Sequence, residues 1–225
     1  VRLPGAADRQ RRRTEHPDER LETAHSGEGA LRIHWRTQQT RAAVDRSLRA
    51  GSFAVFDLQM DRSILDCTLR FHCRGEERER FRFVVPREMA IESVTGAEVK
   101  GWEVQDAGGR AGRELEVELM RPSENSGQIH LRLFRETPAL PSEFTVPLVA
   151  VPEAARHTGS VVLRASPVLD VSVSGGEGLG RVEIPPAKRL PAVRGPLGAE
   201  PVAAFDFAGE PGTDLRVAVS RRPLE

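Results

Sequence analysis

The chain has 225 residues, with 33 Lys plus Arg against 33 Asp plus Glu, so its formal net charge is zero. That balance disfavours a dedicated polyanion binder, which needs surplus basic charge on one face, and no nucleic-acid partner is expected. The longest apolar runs, such as residues 146–151, are broken by proline and fall far short of the roughly 18–20 residues that span a bilayer, so no membrane contact is expected from this segment.

Residues 1–30 are rich in charge and poor in large apolar side chains, and Arg11-Arg12-Arg13 is neutralised at once by Glu15, Asp18 and Glu19. Such a segment cannot offset its ordering entropy by burial and reads as a disordered linker. The first residue is Val1 and no signal stretch follows, so the chain is expected to be cut from a longer polypeptide or processed. From Leu31 the pattern turns to strands: Leu31, Ile33 and Trp35 alternate with Arg32, His34 and Arg36. A helix fits Gln38 to Arg49, ended by Gly51, and Phe53 to Met60 reads as extended.

In Ile64 to Cys73 the odd positions are apolar and the even ones mostly polar, the period of a half-buried strand. Its two cysteines, Cys67 and Cys73, lie about 20 Å apart along such a strand, beyond the roughly 7 Å reach of a disulfide. Both are expected to be core-facing thiols. The charged tip 74–79 leads to a return strand with Phe81, Phe83 and Val85 on one face, closed by Pro86. Further strands are expected over 99–104, 115–119, 129–133, 144–151, 161–165, 169–173, 181–184, 203–207 and 215–220, with turn residues between them. The short link between 115–120 and 128–135 suggests antiparallel neighbours, setting Glu116 opposite Arg132 and Glu118 opposite His130. Residues 185–201 contain five prolines and read as a long surface connection. The expected fold is all-β, an antiparallel β-sandwich of many short strands over residues 31–225, with a sub-boundary near 138–142 if it divides.

Two stretches carry a family resemblance. Phe81 to Pro86 with Ser93-Val94-Thr95-Gly96, Val99 and Trp102, and Ala204 to Phe207 with Leu215 to Val219, resemble the recurring β-rich modules of very large bacterial envelope proteins. The resemblance implies an extracytoplasmic location (periplasm or cell surface), with the rest of a longer polypeptide or other envelope proteins as partners. It brings no catalytic residues.

Motifs for chemistry fail on inspection. Gly175 to Gly180 approaches a dinucleotide fingerprint, but Arg181 takes the last glycine position and the segment lies between two strands. Gly96 and Gly101 have phosphate-loop spacing, yet Trp102 stands where the lysine must be. No His-Glu-x-x-His or Gly-x-Ser-x-Gly occurs, and His34, His72 and His130 fall on polar strand faces. No catalytic residue, metal ligand or cofactor is therefore expected. Trp35 and Trp102 are the candidate ligand contacts, on the reading that an exposed tryptophan forms a sugar platform; both also suit a core or rim role.

The expectation is thus a non-enzymatic structural or protein-interaction segment of a larger bacterial envelope protein. The alternatives are a carbohydrate-binding module with a glycan partner, and a glycoside hydrolase built on two carboxylates, which no sequence spacing fixes.

Overall fold

A computed structural model describes residues 44–75, 77–105, 112–123, 125–176, 178–184, 199–209 and 215–223. The linker expected over 1–30, the strand with His34 and Trp35, and all but the end of the proline-rich connection lie outside these residues. The chain divides into residues 1–40 and 41–225, and every described residue belongs to the second part.

The described residues form strands and no helix. They are β1 (Asp45–Leu58), β2 (Arg62–Cys73), β3 (Arg78–Val85), β4 (Ala90–Thr95), β5 (Val99–Gln105), β6 (Arg113–Ser123) and β7 (Ser126–Glu136). There follow β8 (Ser142–Thr145), β9 (Ala154–Ala165), β10 (Leu169–Ser174), β11 (Leu179–Val182), β12 (Glu200–Ala208) and β13 (Arg216–Arg221). A seven-stranded sheet runs in the order β11-β12-β9-β1-β2-β7-β4, and two three-stranded sheets run β10-β13-β8 and β3-β6-β5. The fold is all-β, as expected, with pairing antiparallel except between β1 and β9, which are parallel.

Alternation explains the layering. On β2, Leu65, Cys67, Leu69, Phe71 and Cys73 are buried, and they stand beside Leu133, Leu131 and Ile129 of β7. These side chains meet Phe81, Phe83, Leu115 and Val117 of the β3-β6-β5 sheet in one hydrophobic core. Phe71 and Phe81 touch across the sheets with ring centres 3.9 Å apart. Phe56 of β1 meets Phe144 of β8 edge-to-face at 6.3 Å, tying in the third sheet.

Three expectations are corrected. The helix over Gln38 to Arg49 is replaced, from Asp45 on, by β1, because two neighbours hold that stretch extended: Leu48 to Ala50 face β2, and Arg49 and Ala50 also pair with β9. The strands 115–120 and 128–135 are not neighbours: β6 pairs with β3 and β5, and β7 with β2 and β4. The chain crosses the core between them, so Glu116 meets Arg80 and Arg82 at 3.3 and 3.2 Å, and Glu118 meets Lys100 at 3.1 Å. Finally, the strand expected over 144–151 is only the short β8, with a single bridge from Ala150 to Val84 beyond it.

Burial sets the chemistry of the thiols. Cys67 and Cys73 are each 2% exposed, and burial pushes the Cys67 thiol up to about 12. A thiolate is the reactive form, so neither cysteine should be labelled by a thiol reagent until the protein is denatured. Rapid labelling of the native protein would show that β2 presents its other face to the core.

Candidate functional site

The outer face of the seven-stranded sheet carries an open polar groove at one end of its central strands, beside the buried Val55, Val162 and Ala204. Register places its side chains in rows across the strands. One row runs Asp206 (β12), Ser160 (β9), Phe53 (β1), Thr68 (β2) and His130 (β7). The next holds Thr158, Gly51, Arg70 and Gln128. Together they line an open groove of about 680 Å³. Gly51 carries no side chain, which leaves the floor of the groove low beside Phe53.

Side chains on one wall are held by each other. Thr68 Oγ1 lies 3.0 Å from His130 Nδ1, His130 Nε2 lies 2.8 Å from the Gln128 amide, and Arg70 Nε donates to Gln128 Oε1 at 3.2 Å. A chain of partners like this fixes rotamers on an exposed surface, where each would otherwise be free. Charges are balanced, with Arg70 on one wall and Asp206 on the other.

Alongside the groove, toward the other end of the strands, two ion pairs stand on the same face. Arg132 holds Asp66 at 3.1 Å and Glu92 at 2.7 Å. Arg164 Nε lies 3.2 Å from Asp57 Oδ1, but its N–H is not aimed at the oxygen and neither Asp57 oxygen gains a hydrogen bond among the described residues. Burial raises the Asp57 carboxyl above its ordinary value against the pull of Arg164, and it raises Asp66 against the pull of Arg132. Both pairs brace the sheet rather than offer an open charge to a ligand.

At the foot of the groove, under β1, β9 and β12, sits a buried histidine. His157 is 4% exposed, its Nε2 is 3.1 Å from Ser52 Oγ, and its ring meets Phe207 edge-on at 5.2 Å. Its Nδ1 is shielded and has no partner among the described residues, and burial pushes its pKa down to about 4. Gly159 makes room for this cluster: a Cβ there would lie 2.6 Å from Phe207 Cζ and closer still to Ser52 Oγ. The imidazole is neutral at pH 7, and among the described residues no acid stands behind it to orient it as a base.

The expected site residues are not here. Trp35 lies outside the described residues. Trp102 stands on β5, an edge strand of another sheet, with its Cα opposite Val117 and 42% of its surface exposed. That is a rim position, far in topology from the groove. His72 and His130 lie on the polar face, as read from the sequence, and among the described residues no group of three or more metal-capable side chains occurs. Phe53, Gln128, Ser160, Asp206 and His157 were not singled out from the sequence. Their four strands, β1, β7, β9 and β12, meet only in the fold, and no local spacing announces it.

The sequence matches no protein-family model and no curated protein. Solved structures do resemble the fold. Yeast LTA4 hydrolase in complex with bestatin aligns over 83% of this chain and 31% of its own, with 9% identity and a TM-score of 0.45. A two-domain M1 zinc metallopeptidase bound to L-tryptophan aligns over 78% of this chain and 44% of its own, with 15% identity and a TM-score of 0.43. An M1 zinc metallopeptidase from Deinococcus radiodurans gives 13% identity and a TM-score of 0.40. This chain thus spans less than half the length of each. At these values the likeness assigns no activity.

These proteins are peptidases and a hydrolase, not envelope modules, and the expectation of a non-enzymatic scaffold or interaction segment of an envelope protein is corrected accordingly. The glycan-binding module and the glycoside hydrolase fall with it.

Proposed function

We propose that this chain is a polypeptide-binding β-domain serving a larger enzyme, and that the groove on the seven-stranded sheet takes an extended peptide segment of the substrate. The observation that carries the reading is the lining of the groove: an aromatic floor at Phe53, flanked by polar groups that offer hydrogen-bond donors and acceptors, Thr68, Gln128, His130, Thr158 and Ser160. Peptide amides need that mixture. The single opposed charges of Arg70 and Asp206 leave no net field to select an anion or a cation. The solved peptidases named above suggest only which substrate class to try first.

The binding test is calorimetric titration of the chain with a blocked, uncharged peptide of alternating alanine, serine and phenylalanine. Phe53→Ala should weaken binding at least about tenfold, because it removes the apolar floor. His130→Ala should weaken it less, since Thr68 and Gln128 keep their own polar groups. Equal affinity in wild type and Phe53→Ala would remove the groove from the account.

A further inference from the structure

We propose that the end of the sandwich where β1, β7 and β8 meet holds a site for a small oxyanion, a carboxylate or a phosphate, built on Arg135. Unlike the groove, it lies on the inner side of the sheets, near the C-terminal end of β1. Arg135 follows Leu131 and Leu133 on the inner face of β7, with its Cα opposite Ser63 of β2. Its guanidinium carbon lies 4.0 Å from the ring centre of Phe144 and 5.8 Å from that of Phe56. The rings hold the planar group in place and favour its charge.

What the guanidinium lacks is an acceptor. Its Nε and Nη2 are shielded from solvent and donate to nothing among the described residues. Glu88 attracts it without pairing, and burial lowers its pKa. Two more groups at this end share the deficit: Gln59 Nε2 and Ser142 Oγ are shielded and unsatisfied among the described residues. Ser142 is two residues before Phe144 and on the same inner side of β8. Gln59 directly follows Leu58, whose Cα partner on β2 is Ser63, the residue that also faces Arg135.

Every one of these groups can donate, and the one formal charge among them is positive. A buried donor without an acceptor is costly, and a buried charge without a counter-ion more so. Water would satisfy the donors but not the charge. An oxyanion satisfies both, and the guanidinium fork matches its paired oxygens.

The test follows the Tm of the chain against acetate, phosphate and chloride at matched ionic strength. Either acetate or phosphate should raise the wild-type Tm saturably, by about 2–4 °C beyond chloride, and the anion that does so identifies the class. Arg135→Met should abolish the saturable part and Arg135→Lys should shrink it, because lysine keeps the charge but loses the fork. If the methionine variant does not fold, Arg135→Lys and Ser142→Ala carry the comparison. A saturable rise equal in wild type, Arg135→Lys and Ser142→Ala, or none in wild type with either anion, overturns the site.

Discussion

Replacing Phe81 by alanine should destabilise the protein by about 3–5 kcal/mol, the usual cost of emptying a buried phenylalanine site. For a domain of this size that is a fall in Tm of roughly 6–20 °C. Phe81 is fully buried on β3, and its ring packs on Phe71 of β2 at 3.9 Å, so the contact joins the β3-β6-β5 sheet to the seven-stranded one. Neither sheet can slide in to fill the gap without moving Phe83, Leu115 and Val117, which are equally buried. The half-exposed Trp102 on the edge strand provides the contrast: its alanine variant should cost about 1 kcal/mol or less, since much of its surface is already in water. Denaturant unfolding of both variants measures this. A loss under about 1 kcal/mol for Phe81→Ala would mean that the sheets are not clamped at this point.

Acid should find His157 next. The unfolded chain takes up this proton near the ordinary 6.5, but the folded protein resists it down to about 4, because the ring is buried. The folded state therefore binds fewer protons across that window. Stability from this group is full well above pH 6.5 and is lost as the pH falls toward and below 4, by about 3 kcal/mol in all. Asp57 and Asp66 work in the opposite direction, since their raised pKa values make the folded state take up protons more readily than the unfolded chain. The two effects are separated by comparing wild type with His157→Gln, which keeps a polar contact to Ser52 and cannot charge. Unfolding free energies at pH 7 and pH 4.5 should diverge between the two proteins, with the variant losing less on acidification. Parallel losses would show that His157 is protonated in the folded state without penalty.

Much of the fold was legible in the sequence, and the failures have physical causes. Residues 64–73 alternate cleanly because β2 has a wet face and a core face along its whole length, and that is the pattern a reader can see. β6 and β7 alternate just as well, yet alternation does not name their partners. A one-sided apolar strand is satisfied equally by a neighbour beside it or by a sheet across the core, and the turn between them does not say which. β4 escaped notice because a register shift between Ile91 and Ser93 breaks the period, leaving the inward Val94 three residues after Ile91. The start of β1 reads as helix up to Arg49 because Arg46, Leu48 and Arg49 are good helix formers; pairing with β2 and β9 overrides that preference. The groove was the least legible feature. Phe53, Thr68, His130, Ser160 and Asp206 come from five strands, and only the order of the sheet makes them neighbours.

The central claim is that the outer face of the seven-stranded sheet binds an extended peptide, and backbone amide chemical shifts test it most directly. Titration with the blocked, uncharged peptide should perturb Phe53, Thr68, Gln128, His130, Ser160 and Asp206 together, with one shared saturation curve. Trp102 on its separate sheet and Arg135 at the far end should stay unmoved. Perturbations gathered around Trp102, or none on the groove at peptide concentrations that saturate the calorimetric signal, would contradict the account.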